Sequence, residues 1–137
     1  MIKKIITKIK NRIWFSIYYG IYQKCRLKEN MVFIELLRRG YDPEKSIFYY
    51  RTSNDKEVDF VTRDGRKVTS LIQVSYDISK AKTRKREFEA LVKASDELRC
   101  DDLTLITWDL DDSVEYNGKR IRIASVCSWF LSPCLLR

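Results

Sequence analysis

Hydrophobic residues recur along this chain with two spacings, one typical of helices and one typical of strands. Isoleucines at a helical spacing, with lysines and an arginine between them, predict a basic amphipathic helix in residues 1–20. A second helix is predicted from about Arg26 to Arg39, and Gly40 should end it because glycine readily adopts the left-handed backbone conformation. A third helix is predicted from about Lys82 to Arg99.

Strand-like runs lie between the second and third helices and again after the third. The predicted strands are Ile47 to Arg51, Glu57 to Thr62, Val68 to Tyr76, Leu103 to Trp108, Val114 to Tyr116 and Lys119 to Ile123. Turn residues between the first three predict an antiparallel meander, the fourth should join the sheet in parallel, and Asn117-Gly118 predicts a hairpin between the last two. With a short helix at Val126 to Leu131, the order is α, α, βββ, α, β, ββ, α, which predicts an α/β fold with a mixed sheet.

Composition narrows the classes of function. The chain has 137 residues, which fits one domain, and 27 Lys and Arg against 19 Asp and Glu give a net charge of +8. This surplus favours a polyanionic partner, either nucleic acid or an anionic membrane surface. There is no histidine, which excludes Ser-His and Cys-His nucleophile systems and every zinc site that needs imidazole.

The four cysteines show no Cys-x-x-Cys pair, so neither a four-thiolate zinc site nor a redox motif is supported. We expect them to be small buried residues of a reduced, cytoplasmic chain, although a Cys127–Cys134 or a Cys25–Cys100 disulfide stays open. The apolar part of residues 1–20 is too short to span a bilayer. Two interpretations of that segment remain, a helix packed on the domain or a partner subunit, and an anchor at a membrane surface; we expect no membrane partner.

Polar side chains follow two of the predicted strands. Because strand side chains alternate between faces, Asp59 should share a face with Val61, and Gln73 should share a face with Ser75. A hairpin would superimpose the two sets. The sequence therefore predicts one polar strip that carries Asp59, Gln73 and Ser75.

Three segments carry a resemblance to a known family: RLKENMVFIELLRRGY at residues 26–41, EVDFV at 57–61 and LIQVSYD at 71–77. They resemble the carboxy-terminal domain of a large archaeal and bacterial group of AAA-type ATPases, within the PD-(D/E)XK nuclease-fold superfamily. The resemblance covers roughly residues 26–131. It implies a restriction-endonuclease-like αβββαβ core in a domain of residues 26–137, with residues 1–25 as an added basic helix, and it implies DNA, an ATPase or a second copy of the chain as partners.

In active members of that superfamily, the resemblance implies a helix glutamate, a strand aspartate and a following Glu-x-Lys that hold Mg²⁺. Glu29 and Asp59 match the first two positions, whereas Gln73 and Ser75 stand where Glu and Lys are expected. Glutamine offers Mg²⁺ only a neutral oxygen, and serine supplies no cation. We therefore expect a weakened or inactive site on Glu29, Asp59 and Gln73, in a domain that binds nucleic acid or a protein.

Two alternatives stay open: an active Mg²⁺-dependent endonuclease that cuts DNA, including branched DNA, and a protein-interaction or dimerisation module. Lys56 is a conceivable substitute for the missing lysine, although its distance of three residues from Asp59 should turn it to the other face of the strand. Glu35 lies well around its helix from Glu29, and we expect it to be a solvated or salt-bridging surface charge near Arg38 and Arg39.

Cations crowd the first turns of the third helix, where the helix dipole disfavours them. They are Lys80, Lys82, Arg84, Lys85 and Arg86. One interpretation is a surface that contacts the phosphates of DNA. The alternative is a solvated face whose charges are offset by Glu87 and Glu89.

Overall fold

A computed structural model describes residues 24–132, so the helix predicted in residues 1–20 lies outside the described part of the chain. The helices are α1 (Lys24–Arg38), α2 (Ala81–Leu98) and α3 (Val126–Leu131), and the strands are β1 (Ile47–Arg51), β2 (Glu57–Asp64), β3 (Lys67–Val74), β4 (Leu103–Thr107), β5 (Asp112–Tyr116) and β6 (Lys119–Ser125). The predicted α/β class is confirmed, and so is the order of the elements from α1 onwards. The bounds differ from the predicted ones by a few residues.

All six described strands form one mixed sheet in the order β1-β2-β3-β4-β6-β5. The pairs β1–β2 and β2–β3 are antiparallel, as the predicted meander requires. Strand β4 joins β3 in parallel, with Val74 opposite Ile106, and β6 lies parallel to β4 on its other side. Strand β5 lies at the edge of the sheet as the antiparallel partner of β6, which confirms the predicted hairpin.

Apolar side chains cover both faces of the sheet, so the described domain has three layers. Helix α2 packs on one face through Phe88 and Leu91, in a core that includes Leu71 and Leu105. Helices α1 and α3 pack on the opposite face. The core residues of that face are Val32, Phe33, Leu36, Ile47, Phe60, Ile72, Val74, Ile106, Ala124, Val126 and Trp129. The strands alternate between these cores, as expected for a sheet buried on both sides.

The end of α1 follows the prediction made from Gly40. This residue has φ of 90°, in the left-handed region, where a side chain would strain the backbone. The N–H of Tyr41 donates to the carbonyl oxygen of Leu36 at 3.1 Å, and the N–H of Gly40 donates to that of Leu37 at 3.0 Å. These bonds satisfy carbonyl groups that the last turn of a helix leaves open.

Strand β2 contains a bulge that the sequence pattern did not predict. Its pairing with β1 puts Val61 opposite Phe48 and Val58 opposite Tyr50, so β2 has one more residue than β1 over this stretch. As a result, Val58 and Val61 both join the core under α2, whereas Phe60 joins the opposite core. Strict alternation is therefore broken between Val58 and Phe60, which are two residues apart but lie on opposite faces.

The cysteines with described side chains differ from the expectation in one case. Cys100 is buried, and burial raises the pKa of its thiol. Cys127 is exposed, so the prediction of a buried residue is wrong there. Within residues 24–132, no helix combines the length and the apolar character needed to cross a membrane.

Candidate functional site

A pocket of about 590 Å³ opens at the place where β2 and β3 separate, under the start of α2. All four residues predicted for the site line it: Glu29 from α1, Asp59 from β2, and Gln73 and Ser75 from the end of β3. The structure thus brings together residues that are far apart in sequence. Their roles as catalytic groups or metal ligands stay predictions.

At this pocket, hydrogen bonds to side chains replace the backbone-to-backbone hydrogen bonds between β2 and β3. The ladder between β2 and β3 reaches Phe60 opposite Ile72. Beyond this pair, the N–H of Val74 donates to Oδ2 of Asp59 at 2.9 Å, and the N–H of Asp59 donates to Oε1 of Gln73 at 3.1 Å. Asp59 and Gln73 therefore hold the two strands together where the backbone ladder stops.

The amide of Gln73 connects β2 to helix α2. Its Nε2 donates to Oε2 of Glu87 at 2.6 Å, while its Oε1 accepts the N–H of Asp59. A backbone N–H can only donate and a carboxylate can only accept, so the orientation of the amide is unambiguous. Gln73 is 7% exposed and Glu87 is 4% exposed, so both groups need these bonds.

The sequence analysis named Glu87 as an acid that offsets nearby cations and did not place it in this pocket, which it lines. Nε of Arg86 donates to Oε1 of Glu87 at 3.1 Å, which gives the carboxylate a cationic partner. We call Asp59, Gln73, Glu87 and Arg86 the Gln73 network. One signal was available: Glu87 lies four residues before Leu91, on the apolar stripe that α2 buries.

The donor set of the pocket does not fit Mg²⁺ as it is arranged. Among the described residues, no three acidic or thiol side chains are grouped so that they could hold a metal ion. The amide oxygen of Gln73 is directed at the N–H of Asp59, and its NH₂ group faces Glu87. Mg²⁺ requires oxygen ligands in near-octahedral array, and an NH₂ group cannot serve as one.

Lys56 lies closer to the site than the sequence indicated. It lines the same pocket as Asp59, so the prediction that it points away is wrong. Its Nζ lies 2.9 Å from Oε2 of Glu89, and this bond lowers the pKa of Glu89. Lys56 precedes β2, so the alternation of strand side chains on which the prediction depended does not extend to it.

The five predicted DNA-contact cations, Lys80, Lys82, Arg84, Lys85 and Arg86, are exposed at the start of α2. We call them the α2 cations. Helix α2 has no acidic residue in its first turn, and Lys80 caps it without a side-chain bond. Nε of Arg84 donates to the carbonyl oxygen of Ile78 at 3.0 Å, and Arg86 reaches into the pocket. Of the α2 cations, Arg86 therefore lines the same pocket as Asp59, and the other four lie within six residues before it in sequence.

Two acids offset part of this charge. Glu87 binds Arg86, and Glu89 lies 3.8 Å from Nζ of Lys85. The alternative of a solvated face offset by these acids thus describes two of the α2 cations. Glu89 also contacts Lys56, so its one negative charge is shared between two lysines.

A second polar cluster lies further along α1. Glu35 is 3% exposed, and its carboxylate accepts bonds from Arg38 Nε at 2.7 Å and Arg39 Nε at 2.8 Å. Hydrogen bonds from Arg38 and Arg39 lower the pKa of Glu35 to about 2. The predicted salt bridges are confirmed, but the expected surface position of Glu35 is wrong. Arg39 Nη2 also donates to the carbonyl oxygen of Trp129 at 2.7 Å, which ties α1 to α3.

Comparison with known proteins identifies the family. A family model described as a domain of unknown function, DUF4143, matches residues 24–125. The chain belongs to this family. Among curated proteins, this DUF4143 chain is 39% identical over 82 residues to the uncharacterized protein MJ1544 of Methanocaldococcus jannaschii. The match covers 60% of this chain and 18% of MJ1544, so the chain spans less than a fifth of the relative's length.

A solved structure also shows a loose likeness to this DUF4143 chain. It is described as a refined half-complex from the tetradecameric assembly of Thermococcus gammatolerans McrB AAA+ hexamers with bound McrC. The superposition covers 75% of this chain and 27% of the other, with a TM-score of 0.45 and 11% identity. This likeness is too loose to transfer a function.

Proposed function

We propose that this DUF4143 domain binds nucleic acid through the α2 cations and does not hydrolyse it. The observation that carries the proposal is the position of Gln73, whose amide joins Asp59 to Glu87, the acid that is bound by Arg86 of the α2 cations. This neutral amide stands at the position where the family resemblance implies a glutamate that binds Mg²⁺. The adjoining cations supply attraction for phosphates without requiring chemistry.

The loss of hydrolysis follows from the groups that surround Gln73. Its carbonyl oxygen accepts the N–H of Asp59, and its NH₂ group donates to Glu87, so both polar atoms of the side chain are used in hydrogen bonds within the domain. Ser75, the second substituted position, is 7% exposed and carries no charge. The removal of one preorganised electrostatic contact reduces an enzymatic rate by about 10²–10³. Two such substitutions in one pocket support a binding function over a catalytic one.

The expected binding mode is electrostatic. Each phosphate neutralised on duplex DNA contributes about −0.9 to the slope of the logarithm of affinity against the logarithm of salt concentration. If all five α2 cations bind phosphates, the slope should be about −4.5. Base sequence should have little influence, since phosphate contacts position a protein without reading bases.

A salt titration of the full chain with duplex DNA tests this mode. Replacing Lys82, Arg84 and Lys85 with glutamine should make the slope shallower by about 2.7. The matched control replaces Arg66, Lys67 and Arg120, which are also exposed, and removes the same charge away from the pocket. Equal losses in both triple variants, or no loss in the first, would contradict a specific role for the α2 cations.

A cleavage assay tests the second half of the proposal. With Mg²⁺ or Mn²⁺, linear and branched DNA should stay intact in the presence of the wild-type chain. If DNA is cut and Asp59→Asn abolishes the cutting, the domain is an active endonuclease and the proposal of binding without hydrolysis is wrong. Cutting that survives Asp59→Asn comes from a contaminant and leaves the proposal in place.

A further inference from the structure

Lys28, Tyr76 and Trp108 form a stack next to the pocket. The ring centroids of Tyr76 and Trp108 are 6.1 Å apart with an interplanar angle of 16°. Nζ of Lys28 lies over both rings, 4.0 Å from the centroid of Tyr76 and 4.8 Å from that of Trp108. Lys28 is 2% exposed, whereas Trp108 is 52% exposed. A buried cation thus contacts an aromatic pair whose tryptophan remains accessible.

The parallel sheet determines this position. Val74 pairs with Ile106, so Tyr76 and Trp108, each two residues further along, emerge side by side. The N–H of Ser75 continues the ladder by donating to the carbonyl oxygen of Ile106 at 2.9 Å. Since Ser75 lines the pocket, the aromatic pair lies at the same edge of the sheet as Asp59 and Gln73.

The turn after β4 holds Trp108 in place. Oγ1 of the buried Thr107 accepts the N–H of Leu110 at 3.1 Å and donates to its carbonyl oxygen at 3.0 Å. Trp108 is the second residue of this turn, where it stacks on Tyr76 and contacts the ammonium group of Lys28. An aromatic surface ordered in advance loses little conformational entropy when a flat ligand stacks on it.

A single exposed aromatic residue needs no functional explanation. Three features distinguish Trp108: its ordered stack, the buried lysine at that stack, and the α2 cations, which begin four residues after Tyr76. Aromatic faces combined with a cationic surface are how proteins bind single-stranded nucleic acid, where bases stack on rings while phosphates meet Lys and Arg.

We propose that Trp108 is a stacking surface for an unpaired nucleobase, and that the ligand is therefore nucleic acid with single-stranded character. The inference rests on the proposed function, because the α2 cations are needed to hold the phosphates. Bases within a duplex are already stacked on their neighbours and do not offer a face to Trp108. The chain should consequently bind single-stranded DNA more tightly than duplex DNA at the same salt concentration.

The test compares a short single-stranded oligothymidine with a duplex of equal length, using the full chain. Trp108→Ala should weaken binding of the single strand by about 5- to 150-fold, the range for one stacked base. Trp108→Phe should retain most of the affinity because it keeps a ring. Leu110→Ala is the matched control, since Leu110 lies in the same turn and is 40% exposed. It should bind like the wild type.

Fluorescence quenching and the salt slope test whether Trp108 stacks on a base. Tryptophan fluorescence of the wild type should be quenched by the single strand, and this quenching should be lost in Trp108→Phe. The salt slope should not change in Trp108→Ala, because no phosphate contact is removed. Unchanged single-strand affinity in Trp108→Ala, or an equal loss for single strand and duplex, would overturn the stacking site.

The failures of the two proposals are distinguishable. If the wild type binds duplex DNA with a steep salt slope but binds the single strand no more tightly, the stacking site is wrong and the proposed function stands. If it binds neither at low salt, the proposed function is wrong, and the stacking site falls with it.

Discussion

Two buried glutamates, Glu35 and Glu87, are stabilised in different ways, and the difference separates a structural region from the candidate site. Glu35 is bonded by Arg38, the last residue of the same helix, and by Arg39, which directly follows it. Glu87 is bonded by its neighbour Arg86 and by Gln73, which comes from another element. Glu35 thus has two cationic partners that are close to it in sequence. Glu87 has one such partner and also depends on the neutral amide of Gln73, which lies on a different element.

The surroundings of the two acids differ as well. The side chain of Arg39 is 11% exposed and stacks over Trp129 at 4.2 Å, and the Glu35 carboxylate beneath it is almost fully buried. Glu87 lines an open pocket, and the side chain of its partner Arg86 is 68% exposed. The Gln73 network therefore reaches solvent through Arg86 and the pocket, whereas the Glu35 carboxylate is enclosed by its partners, and we expect it to contribute to stability.

The strongest test of this contrast is Glu35→Gln. It leaves the guanidinium of Arg39 buried without its carboxylate, so we expect the free energy of unfolding to fall by about 3 kcal/mol. Denaturant unfolding of the full chain measures the change. The control is Glu115→Gln, because Glu115 and Arg120 form an exposed pair whose loss should change stability by less than about 1 kcal/mol. Equal effects in the two variants would contradict a buried ion pair at Glu35.

The pH dependence of stability also tests the ion pairs of Glu35. The pKa of Glu35 is about 2 in the folded chain, below its ordinary value of 4.5 in the unfolded chain. The stabilisation from this group is thus complete above pH 4.5 and is lost as the pH falls from 4.5 to about 2. The Glu35→Gln variant should lose less stability than the wild type over that interval, and parallel curves would contradict the ion pair.

A smaller effect is expected from Gln73→Glu, which restores an acid to the pocket. The new carboxylate would face Glu87 at a position where the amide now donates at 2.6 Å. We expect a loss of about 2 kcal/mol at neutral pH, since a buried donor is removed and two like charges meet. The repulsion raises the folded-state pKa of the pair, so the loss should be absent below the unfolded pKa and should grow as the pH rises.

A double variant measures the interaction between Gln73 and Glu87 separately from the effect of each single substitution. Gln73→Glu combined with Glu87→Gln exchanges the amide and the carboxylate, so one donor faces one acceptor again. The double variant should be more stable than Gln73→Glu alone, with a coupling energy of about 1 kcal/mol or more. If the two changes are simply additive, Gln73 and Glu87 do not form the bond on which the candidate site depends.

The sequence was sufficient to predict those features that depend on residues within a single helix or strand. The period of apolar residues predicted the order of the described elements, and Gly40 predicted the end of α1, because both signals lie within one element. The approach of Glu29 to Asp59 and Gln73 followed from a family resemblance. The bulge at Asp59 and the bond from Gln73 to Glu87 depend on contacts between distant segments, which spacing along the chain does not encode.

The smallest expected difference lies within the Glu35 cluster itself, between Arg39→Lys and Arg38→Lys. Arg39 makes a hydrogen bond to the carbonyl oxygen of Trp129 and stacks on its ring, which lysine cannot do in the same geometry, so we expect a loss of about 1 kcal/mol. The side chain of Arg38 is 67% exposed, and a lysine there keeps the charge, so the change should stay within about 0.5 kcal/mol. Thermal unfolding of both variants measures the difference. Equal stability of the two would mean that the contact between α1 and α3 contributes nothing beyond charge, and the cluster would then no longer be a structural counterpart to the open pocket.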